Sequence, residues 1–412
     1  MKYAHITGWG KFVPQRVLTN DDLAHMVETS DGWIRERTGI AERRIAGPNE
    51  TTASMAIAAA IEALDVAGIS GSQVDLIIVA TTTPEYAFPA TACLVQDALG
   101  ATHAGAFDLS AACSGFVYGL SVGADAIRAG SANTVLVIGS ETLSRIINWK
   151  DRNTCVLFGD GAGAVVLQAS DQPGGVLSTL LRADGSGSEL LIIPAGGSRH
   201  PITPQALEQN LHTIHMNGRE VFRFASRVME RATREVLHKA GWTPEQVDLF
   251  VPHQANRRII EMAAKSLGVS LDKFYCNIAH YGNTSAASIP IALAEAAASG
   301  RLRPKDRVVV VGFGAGLTWA AAALEWSEPK PSARSRRTLS RLGYGLANVR
   351  SRARRLLRRL EDRLFGAPEP SWTPPSSTGN PPQNGTRGKT YTPSHLPREQ
   401  HSTEAQGTQT PS

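Results

Sequence analysis

Apolar positions along the chain alternate between two rhythms. Over 52–67 and 219–240 they recur at three- and four-residue steps, as one face of a helix requires, and each stretch runs into a β-branched apolar block, 74–80 and 247–251. The same succession returns at 113–130 followed by 134–139, and at 284–299 followed by 307–312. A further strand-like segment, Tyr3 to Gly8, opens the chain. Strands apolar on both faces and alternating with helices predict largely parallel sheets covered on both sides. The run from Val308 to Leu324 is almost free of polar groups, but Gly312, Gly314 and Gly316 interrupt it and Glu325 closes it near the short limit for a membrane span. Buried strand and turn are expected there.

The pattern repeats itself. Ala67-Gly68 and Gln73-Val74-Asp75-Leu76 recur 173 residues later as Ala240-Gly241 and Gln246-Val247-Asp248-Leu249. The same offset pairs Glu62 with Glu235, Leu64 with Leu237, and Val137-Ile138-Gly139 with Val310-Val311-Gly312. A duplication is expected, with one α/β half over 1–172 and a second over 173–326, each burying a face against the other. A ligand crevice then belongs at the junction, where corresponding strand ends meet.

After residue 326 the character changes. Pro329 and Pro331 end the last strand-like run, and Leu339, Leu342, Leu346, Val349, Ala353, Leu356 and Leu360 recur at alternating three- and four-residue steps among arginines. A linker and basic amphipathic helix are expected over 327–366, and a disordered, polar, proline-rich tail over 367–412. Residues 330–363 hold twelve Lys/Arg against two Asp/Glu, and 364–412 balance, so the net charge of +5 leaves −5 on everything before residue 330. The basic character therefore belongs to the tail and gives no argument for a nucleic-acid-binding core. Docking on an anionic membrane surface, attraction of an acidic protein and plain solvation of a charged helix are open for that tail. A hydrophobic content of 42% over 412 residues suffices for a large core. Four cysteines without metal-type spacing, and no leader ahead of Tyr3, suit a reducing cytoplasm.

Candidate chemistry concentrates in three places. Ala111-Ala112-Cys113-Ser114-Gly115 opens a helical pattern, which would set the Cys113 thiol at a helix N-terminus where backbone dipoles favour the thiolate. Taken alone, Cys113 stands evenly between nucleophile and small buried hydrophobe; Cys93, Cys155 and Cys276 are assigned to the latter. Val251-Pro252-His253-Gln254-Ala255-Asn256 ends a buried strand of the second half, bringing an imidazole to the crevice. Tyr281-Gly282-Asn283-Thr284-Ser285-Ala286-Ala287-Ser288 is a turn into a small-residue helix, and the 173-residue offset sets Ala286 opposite Cys113. A thiolate can hold an acyl group, and an imidazole and a carboxamide can supply two hydrogen-bond donors to an enolate oxygen. Gly159-Asp160-Gly161-Ala162-Gly163 and Gly312-Phe313-Gly314-Ala315-Gly316 fall short of dinucleotide or phosphate fingerprints and are expected to be structural turns.

Together, Ala112-Cys113-Ser114-Gly115, His253-Gln254-Ala255-Asn256, Gly282-Asn283-Thr284-Ser285-Ala286-Ala287-Ser288 and Phe158-Gly159-Asp160-Gly161-Ala162-Gly163 resemble the β-ketoacyl-acyl-carrier-protein synthase III family over residues 1–326. The resemblance implies the thiolase fold, a five-layered α-β-α-β-α sandwich, usually a homodimer. It also implies the initiating condensation of type II fatty acid synthesis, an acyltransferase reaction without cofactor or metal. Cys113 would take an acyl group from acyl-CoA, and His253 and Asn283 would polarise malonyl-ACP as carbon dioxide leaves. The backbone N–H groups of Cys113 and Ala315 would form the oxyanion hole, with strain expected at Ala315 if its turn demands positive φ. By the same resemblance Trp33, Arg37 and Arg152 grip CoA, and Phe222 lines the pantetheine tunnel. Gln254, Ala255, Asn256, Arg257 and Arg258 would meet the carrier protein, with Arg223 and Lys265 extending that patch, and Phe88 would belong to the acyl pocket, reached across a dimer. Rival expectations are a condensing enzyme of secondary metabolism, a hydroxymethylglutaryl-CoA synthase using Glu85, and a non-catalytic scaffold working through the tail.

Overall fold

In the computed structural model, which describes residues 2–327 together with Ala353, Leu356, Leu357 and Leu360, the duplication takes the form of two sheets. The first contains β1 (Tyr3–Phe12), β2 (Leu76–Ala80), β3 (Gly105–Leu109), β4 (Thr134–Glu141) and β5 (Gly161–Ser170), in the order β1-β5-β4-β2-β3. The second contains β6 (Gly175–Ala183), β7 (Leu249–Pro252), β8 (Arg307–Gly314) and β9 (Thr318–Glu325), in the order β7-β8-β9-β6. Both sheets are mixed, where the pattern predicts largely parallel ones. β2 runs parallel to β3 and β4, and β7 to β8, but β5 and β9 are antiparallel to both of their neighbours. The reason is visible in the second half: only residues 315–317 join β8 to β9, too few for the crossover that parallel strands need.

Six helices complete the layers: α1 (Thr52–Ala67), α2 (Thr91–Leu99), α3 (Gly115–Arg128), α4 (Gly218–Ala240), α5 (Arg257–Leu267) and α6 (Ser288–Ala298). Period-2 alternation in the strands sorts the core. Val135 and Val137 of β4 and Val308 and Val310 of β8 face α3 and α6 in the middle layer. Leu136 and Ile138 face α1 and α2, while Val309 and Val311 face α4 and α5. The result is an α-β-α-β-α sandwich in which each sheet is apolar on both faces.

The 173-residue offset holds in three dimensions. It carries both ends of β4 onto β8, the end of α1 onto the end of α4, and the start of α3 onto the start of α6. The capping glycines Gly68 and Gly241 even share φ 70° and ψ 27°. The middle helices begin at Gly115 and Ser288, later than the pattern predicts, because Ala112 (φ 47°) and Ser285 (φ 48°) adopt left-handed backbone and lead into 3-10 turns, Ala112–Ser114 and Ser285–Ala287. Such positions cost non-glycine residues about 1–3 kcal/mol and are held by their surroundings.

The first sheet ends at Ser170 and the second begins at Gly175. No helix among the described residues is long and apolar enough to cross a membrane. The predicted basic helix and the tail over 367–412 lie outside the described residues, apart from Ala353, Leu356, Leu357 and Leu360, which are helical and exposed.

Candidate active site

Cys113 sits in the first 3-10 turn, with its side chain buried rather than presented at the helix end. Ser114 and Thr318 fix the turn from two sides, both hydroxyls donating to Ala111 O, at 2.7 and 2.9 Å. The end of β8 lies so close that a Cβ on Gly314 would come within 2.6 Å of Cys113 N. Burial pushes the Cys113 thiol up to about 12; a hydrogen bond with Ser285 pulls the other way, and the buried carboxylate of Glu141 adds to the rise. Desolvation thus works against the thiolate that a helix N-terminus favours.

His253 follows β7, its N–H donating to Val311 O at 2.8 Å. The ring packs edge-on against Phe313, its Nδ1 lies 2.6 Å from Ser288 Oγ, and burial lowers its pKa to about 3. Asn283 is pinned by its backbone to Leu157 and Gly159. Its Oδ1 accepts the Ser285 N–H at 2.8 Å, so the amide nitrogen is the end left for a ligand.

All three side chains line one cavity of about 530 Å³, whose outer part includes Arg37, Arg219, Phe222 and Arg258. A second cavity of about 210 Å³ is nearly all apolar, lined by Leu143, Ile146, Ile193, Ile214 and Ala315 among others. Cys113 lines both, so the thiol stands where a polar-mouthed tunnel meets an apolar pocket. Ala315 carries no left-handed backbone; positive φ falls on the next residue, Gly316 (φ 133°), so the strain expected at this alanine is absent.

Trp33, Arg37 and Arg152 come together, with the two guanidinium groups 4.8 and 5.1 Å from the indole centroid. Phe222 lines the tunnel, with Arg258 over its ring at 5.7 Å. Arg257 and Arg258 are exposed. Gln254, expected among partner-facing residues, is instead buried, its amide donating to Pro252 O and Tyr275 O and accepting from Asn277 N–H. Those three bonds tie the strand end to the following loop. Asn256 caps α5 and donates to Arg37 O at 2.9 Å, stapling the tunnel mouth. Phe88 is 86% exposed and lines neither cavity of its own chain. Cys93 and Cys276 are exposed, not the buried hydrophobes expected, whereas Cys155 is buried. Glu85 accepts the Ala53 N–H and lines neither cavity that holds the thiol, which disfavours the hydroxymethylglutaryl-CoA reading.

Sequence reasoning missed the pocket wall. Leu143 and Ile146, on one 3-10 turn and its cap, and Ile193 and Ile214 come from three short segments with no periodicity to mark them. It also missed Glu141, wholly buried and held by the hydroxyls of Thr81, Thr82 and Thr83.

Comparison with known proteins gives consistent results. The family described as 3-oxoacyl-[acyl-carrier-protein] synthase III matches residues 107–185, and its C-terminal region matches 237–326. A β-ketoacyl-[acyl-carrier-protein] synthase III of Roseiflexus sp. is 54% identical over 325 residues, covering 79% of this chain and 99% of the relative. One from Symbiobacterium thermophilum is 57% identical over 321 residues, covering 78% and 97%. The crystal structure of 3-oxoacyl-[acyl-carrier-protein] synthase III from Aquifex aeolicus superposes with a TM-score of 0.73 at 50% identity, covering 78% of this chain and all of that one.

Proposed function

The chain belongs to the 3-oxoacyl-[acyl-carrier-protein] synthase III family, and from that membership we propose that Cys113, His253 and Asn283 carry its reaction. It is an acyltransferase, the initiating condensing enzyme of fatty acid synthesis: an acyl group from acyl-CoA is joined to malonyl-ACP, with loss of carbon dioxide, to give 3-oxoacyl-ACP. The observation that supports the residue roles is the position of one buried thiol at the meeting of two unlike cavities.

The tunnel suits a pantetheine arm, and the apolar pocket suits the acyl chain it delivers. Attack by Cys113 sulfur on the thioester carbonyl forms the acyl-enzyme, with the N–H groups of Cys113 and Ala315 receiving the oxyanion. Malonyl-ACP then occupies the vacated tunnel. The Asn283 amide donates to its thioester oxygen as decarboxylation turns that group into an enolate, with His253 beside it, and the enolate carbon attacks the acyl-cysteine.

Outside the tunnel, the Trp33 indole between Arg37 and Arg152 offers a stacking face and two cations, a match for an adenine and its phosphates. Arg257 and Arg258, with Arg223 and Lys265, meet the acidic carrier protein, and Ala255 and Asn256 frame the approach. An exposed Phe88 has about 1.5–3 kcal/mol to gain from burial, which we assign to a homodimer in which it closes the partner's acyl pocket.

The test is reconstitution. Purified protein given acetyl-CoA and carboxyl-labelled malonyl-ACP should release labelled carbon dioxide and form 3-oxoacyl-ACP in equal amounts. Carbon dioxide without condensed product, or neither, contradicts the assignment.

A further inference from the structure

C-terminal to the second sheet, Ala353, Leu356, Leu357 and Leu360 are helical and exposed, and the three leucines leave 59, 57 and 45% of their surface open. Their steps of three, one and three residues put all four on one face of the helix, because side chains three and four apart are neighbours on its surface. Read at the same spacing, the sequence continues that arc through Val349 and Leu364. It sets arginines along both edges, Arg350 on one, Arg352 and Arg363 on the other. Between Val349 and Leu364 stand seven arginines against two acids, Glu361 and Asp362. A narrow apolar stripe is thus combined with a cationic remainder.

Neither the fold nor the reaction uses this stripe. The family match ends at residue 326, and none of the four residues lines either cavity that holds the thiol. Plain solvation would leave three adjoining leucines in water, against the hydrophobic effect. Pairing through this face with a second copy would press two sets of flanking arginines together, with only Glu361 and Asp362 of each helix to offset them. An acidic protein would meet the charge, but charge alone gives the leucines no cover. A bilayer carrying anionic lipid meets both needs: the leucines enter the acyl boundary while the arginines reach from both edges to phosphate headgroups. Everything before residue 330 carries −5, so attraction to such a surface has to come from this segment.

We propose that the helix containing Ala353, Leu356, Leu357 and Leu360 docks the enzyme on an anionic membrane surface, lying in the interface with its leucine face toward the acyl chains. Docking is reversible and salt-sensitive, since the leucine face is small and the arginine attraction is screened beyond about 8–10 Å at moderate salt. Condensation of soluble substrates does not depend on it, because the residues assigned to the reaction all lie before residue 327.

The test uses full-length protein and vesicles of phosphatidylcholine with or without about 30% phosphatidylglycerol. At low salt the wild type should sediment with the anionic vesicles and stay in solution with the neutral ones. Salt at about 0.5 M should weaken that binding by about tenfold or more. Leu356→Glu/Leu357→Glu/Leu360→Glu should weaken it by about a hundredfold or more, and Arg350→Gln/Arg354→Gln/Arg358→Gln by about tenfold. Without vesicles, both variants should keep the wild-type rate of condensation from acetyl-CoA and malonyl-ACP, which separates this inference from the assignment of Cys113, His253 and Asn283. No binding to anionic vesicles, equal binding to neutral ones, or binding that the leucine variant retains overturns the proposal. So does a leucine face that holds immobilised carrier protein, or a second chain in sedimentation velocity, while vesicles stay unbound. If the leucine variant fails to fold, the salt and lipid dependence of the wild type and the arginine variant decide.

Discussion

The nucleophile turn at 111–115 and the asparagine turn at 284–288 share a backbone and divide the chemistry. Ala112 and Ser285 adopt the same left-handed conformation, each turn leads a middle-layer helix, and each packs on the end of a strand from the opposite half. Yet wherever one half carries a reactive group, the other carries a small residue. Cys113 faces Ala286 across the offset, His253 faces Ala80, Asn283 faces Ser110, Ser288 faces Gly115, and Glu141 faces Gly314. Duplication supplies a precise scaffold twice; a single catalytic centre needs reactive groups at one set of positions and room at their images.

The comparison can be broken most severely by moving the thiol. In Cys113→Ala/Ala286→Cys the nucleophile sits on an equivalent backbone but faces the alanine and glycine side of the pair, so condensation should vanish in a steady-state assay. Detectable product would mean that the scaffold alone, not the local chemistry, makes the centre. Next in size, Asn283→Ala should slow malonyl-ACP decarboxylation by about 10²–10³, as loss of an oxyanion donor does, while Ser110→Ala at the image position should stay within about threefold. Equal effects would deny Asn283 its special role.

Packing is symmetric in pattern but not in tightness. A Cβ on Gly139 would meet Ala286 O at 2.1 Å, whereas at the equivalent Gly312 the nearest atom, Ser114 Cα, is 3.1 Å away. Gly139→Ala should therefore cost about 3 kcal/mol or more in denaturant unfolding, and Gly312→Ala nearer to about 1 kcal/mol. Similar losses would show that the two turns yield equally.

A further contrast concerns pH. His253 is held neutral by burial, with its pKa lowered from 6.5 to about 3. Below pH 6.5 the unfolded ring binds a proton that the folded ring refuses, so stability is lost as pH falls from about 6.5 toward 3. Ala80 has no such term. His253→Gln should flatten that part of the stability curve, and an unchanged acid slope would mean that other groups set it.

Much of this was legible in the chain. The offset visible in Gln73-Val74-Asp75-Leu76 and Gln246-Val247-Asp248-Leu249 aligns strands and helices to the residue, because helix ends and strand starts are written in short local patterns. Cys113, His253 and Asn283 were legible because each closes a strand or opens a turn at the junction. Strand direction was not, since apolar blocks look alike whichever way they run; nor was the apolar wall of Leu143, Ile146, Ile193 and Ile214, assembled from segments that only tertiary packing unites. Gln254 shows the opposite failure. Its place in a motif suggested a partner surface, while three internal hydrogen bonds assign it to the frame.

Intact-protein mass spectrometry after brief incubation with acyl-CoA, followed by peptide mapping, addresses the nucleophile directly. Two other thiols, Cys93 and Cys276, are exposed, while Cys113 is buried at the tunnel's end. One acyl group per chain on the peptide containing Cys113, absent in Cys113→Ala, is the predicted result. Acylation at Cys93 or Cys276 in place of Cys113, or a stable acyl-enzyme in Cys113→Ala, would contradict the account.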